Sequence, residues 1–174
     1  MKWSLFFAGL FNAIVASAPV MAEDEMPREC VAMAMLIGTE TRSQYVRKSS
    51  VMVFFKPPLQ TTTLLENELS IGCQPWLSDR KDWSVHVYWG QSPSPPKEYY
   101  EIISKSGRIL TGENEPALTS AAKVCVKKAL SNTSDLGDEL TDKAKLECQA
   151  FVRDGGSVSV SIFPRKETDE TSDD

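Results

Sequence analysis

Histidine is almost missing from this chain: His86 is the only one in 174 residues. A catalytic zinc site usually takes two or three histidine ligands, which argues against such a site. Any serine or cysteine nucleophile with a histidine base would have to use this single ring, and no G-x-S-x-G elbow accompanies it. Phosphate loops of the G-x-x-x-x-G-K-[ST] type, dinucleotide G-x-G-x-x-G turns and EF-hand loops are absent as well. The residues therefore imply no cofactor, no metal and no catalytic constellation. Positive charge is scarce: 19 Lys and Arg stand against 24 Asp and Glu, a net charge of −5. That balance argues against nucleic acid as the partner, because such binding rests on neutralising phosphates. No internal repeat is visible at a period of 20–50 residues.

Long apolar runs are lacking too. The longest, Leu5 to Val15, spans 11 residues, about half of what a hydrocarbon core requires. It has the length of a signal-peptide core, follows Lys2 and leads to the small-residue end Val20-Met21-Ala22. Pro19 obstructs cleavage after the competing Ala16-Ser17-Ala18. The expectation is export, with residues 1–22 removed by a cut after Ala22. The product would be periplasmic or extracellular, with no transmembrane helix in the mature chain.

Four cysteines, Cys30, Cys73, Cys125 and Cys148, follow that leader at separations of 43, 52 and 23. No two are close enough to clip a metal locally. An even count in an exported chain reads as two disulfides. Cys125 and Cys148 fall on the apolar faces of two expected helices, which favours joining them and leaves Cys30 for Cys73. A bridge from a helix to the sheet stays open.

Apolar patterning supplies the elements. Cys30 to Ile37 alternates bulky and small residues as a strand does, with a helix the alternative because Ala, Met and Leu are good helix formers. Gln44 to Lys56 reads as one bent strand or two short ones, stopped by Pro57-Pro58. Leu69 to Cys73 and Trp83 to Trp89 follow as strands, the second placing Trp83, Val85, Val87 and Trp89 on one face and Ser84, His86 and Tyr88 on the other. Gln91 to Pro96 is a proline-rich surface loop. Tyr99–Ser104 and Arg108–Thr111 flank Lys105-Ser106-Gly107 as a hairpin. A helix starts at Asn114-Glu115-Pro116, where a capping side chain precedes a first-turn proline. A second helix is expected from Asp138 to Val152, on a stripe of Leu140, Ala144, Cys148 and Phe151. Ser157 to Phe163 is a last strand with Val and Ile inward and serines outward.

The expected architecture is α+β: an antiparallel sheet of about five to seven strands packed against two consecutive C-terminal helices, followed by a last strand. Residues 23–164 would form one disulfide-stabilised domain, and residues 165–174 a disordered acidic tail.

The sequence-close carboxylate pairs Glu66/Glu68, Asp79/Asp82, Glu98/Glu101 and Glu113/Glu115 read as solvated surface. Asn132-Thr133-Ser134 matches a glycosylation acceptor in an expected turn. The most suggestive stretch holds Trp76, Trp83, Tyr88, Trp89, Tyr99 and Tyr100 around the proline-rich loop, since Trp and Tyr join apolar area to a polar handle. Tyr88, Trp89, Tyr99, Tyr100 and His86 are the candidate binding residues. The expected function is a non-enzymatic binding or accessory protein, inhibitor-like or immunity-like in style, that recognises a protein, peptide or glycan. The alternatives are a structural component of an envelope assembly and a small secreted hydrolase using carboxylates.

Overall fold

The apolar residues of the first element recur at helical spacing. In the computed structural model, which describes residues 26–60, 67–73, 82–153 and 155–166, helix α1 (Arg28–Glu40) buries Cys30, Met33, Ala34, Ile37 and Gly38. That stripe replaces the strand expected from Cys30 to Ile37. Ala, Met and Leu favour a helix intrinsically, and their spacing of three and four outweighs the alternation of bulk. The expected leader, Trp76 and the tail residues from 167 onward lie outside the described residues.

Two short strands follow, β1 (Gln44–Lys48) and β2 (Met52–Lys56), paired antiparallel around a turn. Then come β3 (Glu68–Gly72) and β4 (Ser84–Trp89). The expected hairpin at Lys105-Ser106-Gly107 is instead the interior of helix α2 (Lys97–Thr111), which buries Tyr99, Ile102, Ile103, Ser106 and Leu110. Gly107 serves close packing and not a turn: a Cβ there would stand 2.9 Å from Leu118 Cδ1 and 3.2 Å from Ile162 Cδ1. The glycine that ends the helix is Gly112, left-handed at φ 75°, the position where a missing Cβ removes the strain. Helix α3 (Glu115–Ser131) starts where the sequence places it, with Asn114 Oδ1 accepting from Ala117 N at 2.8 Å.

The second expected helix is also a correction. Residues 138–152 fold as a hairpin, β5 (Leu136–Leu140) and β6 (Ala144–Phe151). Ala144 and Cys148 lie four apart, a spacing that suits a helix turn and equally two steps of a strand. Burial decides between them, because Ala144, Leu146, Cys148 and Ala150 are buried in strict alternation. Phe151, assigned to a helical stripe, is exposed. The last strand, β7, runs Ser157–Pro164. Arg165 and Lys166, expected in the tail, are held: Arg165 Nη1 donates to Thr141 O at 2.9 Å and Lys166 Nζ meets Asp82 Oδ1 at 2.6 Å.

The seven strands form one antiparallel sheet in the order β1-β2-β3-β4-β7-β6-β5. The architecture is α+β, with the consecutive helices α2 and α3 packed on the sheet; α1 joins them on the same face, and three strands rather than one follow α3. The order reads as two meanders, β1-β2-β3-β4 and β5-β6-β7, meeting side by side at β4 and β7. Each meander follows a helix that a disulfide ties to it, Cys30 of α1 to Cys73 beyond β3 and Cys125 of α3 to Cys148 of β6. The second bridge runs from helix to sheet, not from helix to helix.

The helix-facing side is apolar in register. Val53, Ile71, Val85, Ile162 and Leu146 form one cross-strand row, and Phe55, Leu69, Val87, Val160 and Cys148 the next. All ten are buried, and each such side chain contributes on the order of 1.5–3 kcal/mol by leaving water.

Candidate functional site

A side-chain period of two sends the alternate residues of these strands to the opposite face, against which no helix of the described residues packs. Its middle row is Phe54, Ser70, His86, Ser161, Glu147 and Asp138, taken across β2-β3-β4-β7-β6-β5. The flanking row contains Glu68, Tyr88, Ser159 and Gln149.

His86 lies at the centre, where the two meanders meet. Its Nε2 is 2.8 Å from Ser84 Oγ and its Nδ1 2.8 Å from Ser161 Oγ. A neutral imidazole has one donor and one acceptor nitrogen, so one serine donates to the ring and the other accepts from it. Gly72, cross-strand from Ser84, makes room for this: a Cβ at Gly72 would fall 2.5 Å from Ser84 Oγ. Phe163 meets the ring edge-on, with centroids 6.1 Å apart. Burial lowers the His86 pKa from its ordinary 6.5, and the nearby Glu147 carboxylate opposes that shift. The ring is therefore held neutral and hydrogen-bonded on both sides.

Tyr88 is the next outward residue on β4 and is 36% exposed. On β2, Phe54 carries the guanidinium of Arg47, 3.6 Å from its ring centroid. Phe54, Phe163 and Ser161 were not singled out from the sequence. A register signal would have found them, because Ser161 pairs directly with His86 across β4 and β7, Phe163 meets the His86 ring, and Phe54 shares the row through Ser70, but register is a property of the folded sheet.

The other three candidates point elsewhere. Trp89 is buried on the helix-facing side, and its Nε1 donates to Ser92 Oγ at 3.3 Å, tying the proline-rich loop to the core. Tyr99 is fully buried, and its hydroxyl donates to Val87 O at 2.9 Å. Burial raises its pKa well above the ordinary 10.0. Tyr100 is half-buried beside Tyr99 and faces Lys123 Nζ at 5.7 Å. The aromatic stretch thus splits: His86 and Tyr88 share the helix-free face, Trp89 and Tyr99 belong to the core, and Tyr100 lies in the helix layer. The proline-rich loop is pinned as well, since Pro93 packs so closely on Gly156 that a Cβ there would fall 2.4 Å from Pro93 Cδ.

A cleft of about 400 Å³ opens at the β5–β6 end, lined in part by Asp138 and Glu147 of the middle row and by Leu136, Leu140 and Lys145. None of the five candidate binding residues lines it. Among the described residues, no group of three or more His, Cys, Asp or Glu side chains is placed to hold a metal, and no helix is long and apolar enough to cross a membrane.

No protein-family model matches this chain, and no curated protein or solved structure matches it either.

Proposed function

We propose that this chain is an exported, non-enzymatic accessory protein that holds a protein partner against the helix-free face of its sheet. The observation that carries the reading is the composition of that face: Tyr88, Phe54 with Arg47 stacked on it, and Phe163 share it with a hydrogen-bonded Ser84-His86-Ser161 centre. Aromatic residues and Arg are the types enriched at protein interfaces. A small ligand is served better by an enclosed apolar pocket, and the 400 Å³ cleft lies at the other end of the sheet from Phe54. Export is supported by the leader pattern in the sequence together with two disulfides, which persist in oxidising compartments.

The test is site-specific photocrosslinking in living host cells, with the crosslinking residue in place of Tyr88 and, as control, of Lys127 on the outer side of α3. One discrete adduct at 88, absent at 127 and lost on Phe54→Ala, is the expected result. Failure of any adduct at 88, or the same adduct at both positions, overturns the reading.

A hydrolase is the second reading, and one observation favours it: Ser84 Oγ and His86 Nε2 have the separation of a nucleophile and its base, with Ser161 on the far ring nitrogen. Ser84 is buried, however, at the start of strand β4. Labelling by a fluorophosphonate probe, lost on Ser84→Ala, would establish this reading in place of the first. An unlabelled protein eliminates a nucleophilic Ser84.

A further inference from the structure

The charge of this acidic chain is unevenly placed. Between Glu40 and Glu66 the sequence has no acidic residue, and residues 41–60 contain Arg42, Arg47, Lys48 and Lys56. All four basic side chains are exposed. No ion pair joins any of them to a carboxylate among the described residues. Arg47, Lys48 and Lys56 lie on the β1–β2 hairpin and Arg42 in the turn before it, and β1 is the edge of the sheet, exposed at every one of its five residues. Tyr45 and Val46 stand among the charges at 48% and 55% exposure.

The two edges of the sheet differ in how they are finished. At the far edge, ladder bonds use Asp135 O and Thr141 N, so by alternation the carbonyls of Leu136 and Asp138 point outward. Both are capped by side chains of α3 and its C-terminus: Asn132 Nδ2 donates to Leu136 O at 3.2 Å, and Lys128 Nζ to Asp138 O at 3.0 Å. No corresponding side-chain cap closes the outer side of β1 among the described residues. A bulge at Tyr45/Arg47 and the charges make β1 a poor partner for a neutral or basic strand. The same charges suit an acidic one.

From this asymmetry we infer that the β1 edge receives an extended acidic segment of the partner protein, which adds alongside β1 and neutralises Arg42, Arg47, Lys48 and Lys56. Backbone hydrogen bonds to an edge strand supply affinity, and the flanking side chains supply selectivity. An anionic lipid surface would use the charges but not the backbone edge. The inference deepens the protein-binding reading above by extending its surface past Arg47 to the sheet edge and naming the partner's chemistry, and it is tested separately from Tyr88.

The probe is a fluorescein-labelled peptide of alternating Glu and Val, titrated into the purified mature chain (residues 23–174) and followed by anisotropy. Saturable binding that weakens with salt is expected, with about ten-fold or greater loss on the double exposed change Arg47→Glu and Lys48→Glu. The control pair Lys123→Glu and Lys127→Glu on α3 should leave binding within about two-fold, as sites remote from β1. A peptide N-methylated at alternate residues should lose binding, since its backbone donors are gone. Each of the following overturns the inference: no saturable binding, equal binding by the charge-reversed hairpin, undiminished binding of the N-methylated peptide, or binding only to phosphatidylglycerol vesicles. Binding that appears only after residues 167–174 are removed also overturns it, because the chain's own acidic end would then be the occupant. An adduct at Tyr88 with no peptide binding removes this inference and leaves the broader reading standing.

Discussion

His86 and Ser161 are cross-strand partners at the junction of β4 and β7, joined by a 2.8 Å hydrogen bond between ring nitrogen and hydroxyl. They link the first meander to the second on the face opposite the helices, while Val87 and Val160 do so in the core. The seam is therefore apolar on one side and polar on the other, and the polar side holds a titratable ring.

That ring makes stability depend on pH in a stated direction. Its folded pKa lies below the ordinary 6.5 because of burial, so the unfolded chain binds the proton first as pH falls. Stability is complete above the unfolded pKa, declines as pH drops through 6.5 toward the lowered folded value, and then levels off. Thermal melts between about pH 7.5 and about pH 5 should show a declining Tm in the natural chain and a flatter profile in His86→Asn. Identical slopes would mean that His86 does not titrate differently on folding.

Glu113 behaves in the opposite sense. It is buried between α2 and α3, accepts from Asn114 N and Nδ2 at 2.8 Å each, and reaches Lys143 N at 3.2 Å in the β5–β6 turn. The backbone bond from Asn114 leads the causes that lower its pKa from 4.5. Its contribution is present above 4.5 and is lost as pH falls through the lowered folded value. Glu113→Gln should cost about 1–3 kcal/mol in urea unfolding at neutral pH and reduce the loss of stability below about pH 4.5.

Two glycines should separate clash from backbone strain. A Cβ at Gly137 would stand 2.5 Å from Cys125 O and 2.8 Å from Ala129 N, both backbone atoms of α3. Gly137→Ala should therefore destabilise by about 2 kcal/mol or more, since the helix must move off β5. Gly112 has a left-handed φ of 75° and nothing within 4 Å of its Cβ position, so Gly112→Ala should cost only about 1 kcal/mol. Chemical denaturation of both variants checks the order.

Each disulfide ties a helix to its meander, and replacing both cysteines of either pair by alanine should cost about 2–5 kcal/mol. The Cys30–Cys73 loop spans 43 residues and the Cys125–Cys148 loop 23. Loop-closure entropy makes the longer bridge the more stabilising by about 0.6 kcal/mol. Denaturant midpoints of the two double variants test this. Equal or reversed losses would show that packing around each bridge, rather than chain entropy, dominates.

What was legible in the residues themselves was local. The strand Ser84–Trp89 is plain from alternation, α3 from its Asn114 cap and proline, and β7 from serines alternating with Val and Ile. Where local patterns admitted two periods they misled: Ala144 and Cys148 satisfied a helix as well as a strand, and Gly107 looked like a turn because its true neighbours, Leu118 and Ile162, are distant in sequence. For the candidate site, alternation alone placed His86 and Tyr88 on the face opposite Val85 and Val87. It could not separate Tyr88 from Tyr99, since an aromatic side chain carries the same chemistry in a core as on a surface.

By itself the sequence determined the acidic balance, the even set of distant cysteines, the export pattern and the periodicity of the clearest elements. Tertiary structure alone decided which faces were covered, which strands became edges, and that Ser161 would meet His86. The physical reason is that periodicity is carried by neighbouring residues, whereas register and burial come from contacts between segments far apart in the chain.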